Sequence, residues 1–358
     1  MFRALARFLF SPLKKTDPNY FFFEDSRKSV QEMQETVAEI QTTSTSSIIE
    51  TIEKKYQRTF YDFLFGQSPP TQQHDELSSY ISLKVEKLLK NPQKILEALP
   101  ILPVSLTKVL EQLNDKEFDA EVLVNLIQQE PTIAAKVIEL ANSAYYNRSN
   151  KEITDLKSAF MLLGTNGLME GVINGFVSKL KPHSQIYFQQ YGSKIWKHSQ
   201  TSGIIAKILI AKSQYGKDSA QGYLIGLICN LGDMIIYQLL IDAFSYVHPD
   251  CQPNSYAFKE LMQKNSKKLT YHIAKHWNFP SSILDALAVQ TKLTKSSMLG
   301  PVFNKRPIAC YVYEANIISQ LALRLEYKDI DEDEINETRD FLLYSEEAKA
   351  HIDKLLNQ

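Results

Sequence analysis

Glycine and cysteine are both scarce in this chain. Only 12 of the 358 residues are glycine, and apolar residues recur at intervals of three and four rather than in alternation. This periodicity predicts helices almost throughout, and therefore an all-α fold. The three cysteines, Cys229, Cys251 and Cys310, are far apart and form no CxxC pair. Such usage argues against a disulfide framework and is typical of reduced thiols in a cytoplasmic protein.

An excess of either charge is also missing. Forty basic and 41 acidic side chains leave a formal net charge of −1 at pH 7. Dedicated nucleic-acid binders need surplus Lys and Arg to neutralise phosphates, so no nucleic-acid partner is expected. No continuous apolar run reaches about 18 residues, and no membrane-spanning helix is expected either. The hydrophobic content of 44% is nevertheless ample for a packed core.

Patterning divides the chain into three predicted regions. Residues 1–92 are predicted to be a helical N-terminal extension, and residues 326–358 an acidic and then amphipathic helical tail. Between them, residues 93–325 form the main domain, with a first half at 93–185 and a second half at 190–325. Apolar stripes of helical spacing mark the extension at Ile48, Ile52, Tyr56 and Phe60, and at Leu77, Ile81, Val85 and Leu88. Stripes of this kind pack within one chain or pair between two copies, so a homodimer stays open.

The first fifteen residues carry a pattern of their own. Its apolar side chains are predicted to lie on one helical face, and basic side chains add positive charge. The apolar residues are Phe2, Leu5, Phe8 and Leu9, and the basic ones are Arg3, Arg7, Lys14 and Lys15. A short segment of this kind can lie weakly on an anionic membrane surface, which would make the protein a membrane-surface adaptor. The other interpretation is a first helix that docks on the body of the protein.

Helix boundaries in the main domain follow from the same periodicity. The second half is predicted to include helices at 193–213, 219–230, 232–240, 255–276, 281–291 and 306–325. In the first half, Pro131 suits the first turn of a helix, because its missing N–H is not needed there. Thr154 is a predicted N-cap and Gly164 a predicted helix end.

Six short strings occur in the order of one family of bacterial signalling domains. They are LPILP at 99–103, IQQEP at 127–131, LANSAYY at 140–146, AFMLLG at 159–164, WKHS at 196–199 and HWNFP at 276–280. Through these strings the segment from Leu99 to about Leu325 resembles the HDOD family, the HD-related output domain. The resemblance implies an all-α domain of HD ancestry that usually lacks enzymatic activity and acts in signal output.

The HD metal site is incomplete in this chain. Phosphohydrolases of the HD type carry adjacent His and Asp residues where Cys229 and Asn230 stand in the string GLICNLGD, residues 226–233. His198 matches the upstream histidine of that site, and Asn316 replaces the downstream aspartate. The resemblance therefore implies that one of four metal ligands is retained.

Two further differences from the family lie beside these positions. Gln290 stands where many relatives have one of two paired histidines, and Asp233 replaces a lysine that often follows the HD glycine. Both residues are candidate neighbours of a ligand pocket. His198, Cys229, Asn230 and Asn316 would form its degenerate centre.

The chemistry of these residues favours a non-catalytic protein. A hydrolytic Mg²⁺ or Mn²⁺ needs carboxylates, whereas Asn230 and Asn316 are neutral. The two amides can bond each other or His198 and hold helices in register, or line a pocket that binds a small ligand without turnover. We therefore predict a regulatory module that acts through protein partners, with neither metal nor cofactor. The main alternative is a divergent metal-dependent phosphohydrolase that uses His198 with Cys229 or Asp233.

Overall fold

The computed structural model describes residues 44–67, 76–112, 120–148, 151–182, 186–247 and 256–356. Within these ranges the chain forms helices joined by turns and contains no β-strand, which confirms the predicted all-α fold. The α-helices are α1 (Ser44–Phe65), α2 (Glu76–Lys90), α3 (Gln93–Glu97), α4 (Val104–Gln112), α5 (Ala120–Gln128), α6 (Pro131–Ala141), α7 (Leu156–Val177), α8 (Ile186–Lys212), α9 (Ser219–Ile228), α10 (Leu231–Val247), α11 (Tyr256–His276), α12 (Ser281–Gln290), α13 (Leu299–Phe303), α14 (Pro307–Glu326), α15 (Glu332–Leu342) and α16 (Glu346–Leu356). The predicted amphipathic segment 1–15 lies outside the described residues.

Local sequence explains the helix boundaries of the first half. Pro131 opens α6, as predicted. The N-cap of α7 is Asp155 rather than Thr154, because the Asp155 carboxylate accepts a hydrogen bond from the Ser158 backbone N–H at 2.8 Å. Gly164 interrupts the helix at the predicted position. Its φ of 64° and ψ of −174° are not helical, and a second helical stretch follows at once, so that α7 consists of two stretches joined at a kink.

The second-half helices lie close to the predicted ones. The largest differences are in α8, which begins at Ile186 instead of 193, and in α10, which continues to Val247 instead of ending at 240. Buried Ile241 and Ala243 extend the apolar face of α10 past the predicted end.

Helices α8, α9 and α14 form the centre of the second half. Helix α8 packs along both of the others. Close approach of α8 and α9 requires glycine, since a Cβ at Gly226 would lie 2.8 Å from the Ser202 carbonyl oxygen and 2.9 Å from the Gly203 Cα. The backbones are therefore in contact, and the end of α9 is held beside α8.

A second close approach joins α10 to α11. A Cβ at Gly232 would overlap the backbone of Ser266, so only glycine fits at the start of α10. The Gly232 backbone N–H also donates to the Thr270 hydroxyl at 2.9 Å. These contacts bring α11 against the turn that precedes α10.

The N-terminal extension and the C-terminal tail share the core of the main domain. One cluster of buried apolar side chains runs from Ile52 in α1 to Ile352 in α16. Helix α1 packs on α8, α14 and α15, and α2 packs on α10 and α11. The division of the chain at residues 92 and 325 stays a prediction, but the described helices on either side of it are packed together.

One apolar stretch is longer than the run-length criterion suggested. Residues Gly216–Ala243, which span α9 and the first part of α10, have the length and apolar composition of a membrane-spanning helix. In the structure 94% of the most apolar window of this stretch is buried inside the molecule. Its apolar side chains therefore form core contacts.

Candidate functional site

The positions that were predicted to correspond to the HD ligands meet where α8, α9, α10 and α14 converge. Asn316, on α14, donates from Nδ2 to Cys229 Sγ at 3.1 Å and to Asn230 Oδ1 at 3.0 Å. Gln320, one turn further along α14, donates to Asn316 Oδ1 at 3.3 Å. The two amides are therefore bonded to each other, which is one of the two expected arrangements.

His198 is fixed by a serine that the sequence did not single out. Ser319 lies one turn beyond Asn316, and its hydroxyl is 2.7 Å from His198 Nδ1 and 2.9 Å from the His198 carbonyl oxygen. A hydroxyl has one proton, so donation to the carbonyl oxygen leaves Nδ1–H to donate to the serine. Burial, together with the nearby charge of Lys267, lowers the pKa of His198 to about 3. The imidazole is accordingly neutral at neutral pH.

A lysine from α11 reaches the same place. Lys267 Nζ donates to Asn230 Oδ1 at 3.2 Å, so one amide oxygen accepts from both Lys267 and Asn316. Two donors on one oxygen fix the orientation of the Asn230 amide, with its Nδ2 on the opposite side. Lys267 is half-buried, and the contact of Gly232 with α11 described above permits this approach.

A cavity of about 520 Å³ opens beside these residues. It is lined by His198, Asn230, Asp233, Gln290 and Asn316, among others. All of the predicted site positions except Cys229 thus face one space. The thiol of Cys229 is buried behind it and is 3.1 Å from the Gly226 carbonyl oxygen.

Asp233 and Gln290 are each held by a defined partner. The Tyr61 hydroxyl donates to Asp233 Oδ1 at 3.2 Å, and Gln290 Nε2 donates to the Ala309 carbonyl oxygen at 2.6 Å. Burial raises the pKa of Asp233, which the neighbouring Lys267 ammonium and hydrogen bonds partly offset. Gln290 is thereby a fixed part of the wall.

Helix α1 covers one side of the cavity. Tyr56 donates its hydroxyl proton to the Ile317 carbonyl oxygen at 2.7 Å, and the ring centroid of Phe60 lies 4.9 Å from that of His198. Tyr61 adds the bond to Asp233. Burial of each such aromatic side chain stabilises the fold by about 2 kcal/mol. A helix from the predicted extension is therefore one wall of the site.

Comparison with known domains decides the family. The HDOD domain profile matches residues 99–293, which is more than half of the chain. The chain belongs to the HDOD family. Its HDOD domain carries the cavity, but α1 and α14, which also line it, lie outside the matched segment.

Three solved structures share the HDOD fold. An HDOD domain protein of unknown function from Geobacter sulfurreducens is 20% identical, with a TM-score of 0.50, over 76% of this chain and 99% of its own. Two Shewanella amazonensis SB2B proteins, provisionally named a phosphohydrolase and a metal-dependent phosphohydrolase, are 18% and 16% identical, with TM-scores of 0.52 and 0.50. They cover 74% and 78% of this chain, and 93% and 99% of theirs. Among curated protein sequences, none matches the chain.

The residues of this HDOD domain do not fit the divalent metal of an HD hydrolase. Two positions that would supply carboxylates supply amides, and His198 Nδ1 is engaged by Ser319. The Lys267 ammonium lies within hydrogen-bond distance of Asn230. A metal ion bound by Asn230 would therefore be close to this positive charge and would be repelled by it. Within the described ranges, no group of three or more His, Cys, Asp or Glu side chains is arranged to hold a metal ion.

Several buried polar atoms of cavity-lining residues have no hydrogen-bond partner within the described part of the chain, and two of them are amide atoms. Asn230, which is 1% exposed, has no partner for its Nδ2, and Gln320 has none for its Oε1. Leaving a buried amide group without a partner costs about 1–3 kcal/mol. Such atoms mark a place where a bound molecule would restore the missing hydrogen bonds.

A separate polar cluster lies between the two halves of the HDOD domain. Lys207 Nζ contacts Glu170 Oε1 at 2.6 Å, and the Tyr146 hydroxyl donates to Glu170 Oε2 at 2.6 Å. Lys207 also donates to the Tyr146 hydroxyl oxygen at 2.7 Å. Tyr146 belongs to the LANSAYY string, so part of that string serves to complete a buried ion pair beside a second cavity, of about 410 Å³.

Sequence patterns did not reveal Lys267, Ser319 or the role of α1. Lys267 is one of several lysines on α11, and only the tertiary contact at Gly232 directs it to the site. Ser319 could have been found, because it lies three residues after Asn316 and so shares a helix face with it.

Proposed function

We propose that this HDOD protein is a non-catalytic signal-transduction module that regulates its partners through protein contacts. The observation that carries the proposal is the Lys267 ammonium bonded to Asn230 at the degenerate HD centre. A fixed cation and two neutral amides replace a divalent cation and its carboxylates. The positive charge at this place is thus supplied by the chain itself.

The chemistry of hydrolysis supports the same proposal. A metal phosphohydrolase generates hydroxide and polarises a phosphoryl oxygen through its metal. Lys267 can neutralise charge, but an ammonium does not lower the pKa of a bound water as Zn²⁺ or Fe²⁺ does. His198 is neutral, is buried and has one ring nitrogen engaged by Ser319. A proton-transfer role for it would require that contact to break.

Exposed apolar side chains support contacts with other proteins. In the first half of the HDOD domain Ile101 is 94% exposed, Met161 78% and Val104 66%. Helices α4 and α7, which carry two of these residues, pack against each other. Apolar side chains at this exposure gain free energy when a partner covers them.

The alternative is a divergent metal-dependent phosphohydrolase. Two fold neighbours carry provisional phosphohydrolase names, and His198 and Asp233 both line the cavity here. This function requires the Asp233 carboxylate to leave Tyr61 and bind a metal beside Lys267. The membrane-surface adaptor has its only support in residues 1–15, outside the described part of the chain.

Metal analysis of the purified full-length protein tests the proposal. We expect no stoichiometric Fe, Mn or Zn, and no turnover in a screen of phosphodiester and nucleotide substrates. The matched control is the variant Cys229→His/Asn230→Asp/Asn316→Asp/Lys267→Gln, which restores the HD ligands and removes the competing cation. It is expected to retain more Mn²⁺ than the wild type under the same dialysis.

One result would overturn the non-catalytic assignment. Near-stoichiometric metal in the wild type that is lost in His198→Ala, with turnover lost in parallel, would show a rebuilt hydrolytic site. For the partner contacts, affinity capture is compared between the wild type and Ile101→Asp/Met161→Asp. Equal recovery of the same proteins by both would exclude this surface as the contact region.

A further inference from the structure

The cavity beside the degenerate HD centre has the chemistry of an anion-binding site. This inference rests on the proposed function, because it requires that Lys267 rather than a metal supplies the positive charge. The Lys267 ammonium has three donors, and within the described residues it bonds only Asn230 Oδ1. Donors therefore remain for a molecule in the cavity.

Asn230 provides a second donor of fixed direction. Its Oδ1 is held by Lys267 and Asn316, so its Nδ2 is turned the other way. That Nδ2 is buried without a partner, and Asn230 lines the cavity. A carboxylate or phosphate oxygen placed between Asn230 Nδ2 and Lys267 Nζ would satisfy both donors with charge-assisted hydrogen bonds.

The charges around the cavity favour an anion. Its lining includes three lysines of α11, Lys264, Lys267 and Lys268, and two acids, Glu53 and Asp233. Glu53 accepts from the Ser296 backbone N–H and Asp233 from the Tyr61 hydroxyl. Three ammonium groups thus face two carboxylates, one of which, Asp233, neighbours Lys267. Lys264 is bridged to Glu86 and is mostly exposed, so Lys267 is the cation best placed for a buried ligand.

Aromatic rings form another part of the wall. Tyr56, Phe60 and Tyr61 of α1 and Tyr313 of α14 line the cavity. The hydroxyls of Tyr56 and Tyr61 are spent on Ile317 and Asp233, so these residues offer mainly ring surface to a ligand. A flat apolar body packs well on such rings. The volume of about 520 Å³ lies within the range of about 300–1,000 Å³ that is usual for small-molecule sites.

We propose that this cavity binds a small organic anion, with its carboxylate or phosphate group on Lys267 Nζ and Asn230 Nδ2 and a flat apolar body against the rings of α1. The ligand is bound without being turned over. It joins α11, which carries Lys267, and the turn before α10, which carries Asn230, to α1, which carries the rings. Binding therefore ties the N-terminal helix to the HDOD domain.

Calorimetric titration of the full-length protein with three probes tests this site. Phenyl phosphate and benzoate combine a ring with a phosphate or a carboxylate, and benzyl alcohol has the ring without the charge. We expect saturable binding of at least one anion and none of the alcohol. Binding of phenyl phosphate alone or of benzoate alone would identify which anionic group the site prefers.

Three variants assign the binding to the cavity. Lys267→Gln is expected to lower the affinity for the anion by about tenfold or more, since one charge-assisted hydrogen bond is lost. Asn230→Asp, which replaces the donor by a negative charge, is expected to abolish binding. Lys275→Gln is the matched control, because Lys275 lies on the same helix, is exposed and does not line the cavity. Far-UV circular dichroism checks that each variant is folded.

Two outcomes would overturn the inference. One is the absence of saturable binding of either anion up to about 10 mM, which is weaker than any useful small-molecule affinity. The other is equal affinity of the wild type and Lys267→Gln for the anion. Both leave the non-catalytic function standing, since that function is tested by metal content and turnover. Stoichiometric metal with turnover would instead remove the proposed function itself.

Discussion

Two buried polar clusters in this protein differ in how their charges and hydrogen-bonding groups are paired. Glu170, Lys207 and Tyr146 form a charged cluster in which the carboxylate meets an ammonium and a phenol at 2.6 Å each. At the predicted HD centre, Asn230 and Asn316 form a neutral pair, and Lys267 bonds an amide oxygen at 3.2 Å. The first cluster is internally matched, whereas the second has a cation with no carboxylate bonded to it.

The difference indicates whether the polar groups of each cluster are paired within the chain or left for a ligand. A buried carboxylate must be paired, and Lys207 pairs it within the chain. At the HD centre, Lys267 has an amide for a partner, and Asn230 Nδ2 has none. A cluster completed internally is a structural element. One left with surplus donors is suited to a ligand, and the following changes test that contrast in order of decreasing effect.

The largest effect is expected from breaking the charged cluster. Lys207→Met leaves Glu170 buried without its cation, and the free energy of unfolding is expected to fall by about 3 kcal/mol. Urea denaturation measures this loss. The double variant Glu170→Leu/Lys207→Met should recover most of it, because no unpaired charge remains. Exposed Lys212, on the same helix, is the control, with a change for Lys212→Met within about 0.5 kcal/mol.

Lowering the pH should reduce the free energy of unfolding through His198, which lies beside the neutral cluster. Its pKa is about 3 in the folded protein and about 6.5 when unfolded, so only the unfolded chain binds this proton between those values. Stability therefore falls as pH drops below 6.5, by about 2 kcal/mol between pH 7 and pH 5 from this group. His198→Gln should lose that part of the pH dependence. Identical slopes in both proteins would show that His198 does not titrate as described.

A smaller loss is expected from the amide pair. Asn316→Ala removes the donor to Cys229 and Asn230, which should reduce the free energy of unfolding by about 1.5 kcal/mol. Thermal and urea unfolding measure it. Asn304→Ala, at an exposed position, is the comparison. A loss as large as that of Lys207→Met would mean that the neutral cluster is as critical as the charged one.

The smallest effect is expected where α1 meets the site. Tyr61→Phe keeps the ring and removes one hydrogen bond to Asp233, at a cost of about 1 kcal/mol. Tyr344→Phe, on an exposed ring, should be neutral by the same urea assay. A neutral result for Tyr61→Phe would show that the bond to Asp233 does not help to hold α1.

Local patterns predicted the helices well, since helix boundaries depend on nearby residues. The ends of α9, α11 and α12 follow apolar periodicity and the punctuation of Gly and Pro. At Asp155 a carboxylate displaced the neighbouring threonine as N-cap, because two adjacent capping residues compete and sequence alone does not rank them. Gly164 interrupts α7 where predicted, but the sequence pattern did not show that a second helical stretch begins directly after it.

The candidate site was predictable only in part. His198 was identifiable through the WKHS string, and Asn230 and Asn316 through the comparison with the HD ligand positions; the structure places all three beside one cavity. Lys267 was not, because its arrival depends on how closely α11 passes Gly232, a contact between residues far apart in sequence. Likewise nothing in the apolar stripe of α1 says which surface it covers.

The unit that sequence comparison recognises and the unit that folds are different objects here. The family match stops at residue 293, yet Asn316 and Ser319 lie in α14, and Tyr56 and Phe60 lie in α1. A fragment trimmed to residues 99–293 would lack the partner of Asn230, the anchor of His198 and the aromatic wall. The family match ends at residue 293, whereas the shared apolar core extends from Ile52 to Ile352. Experiments on the site therefore need a protein that includes the whole of this core.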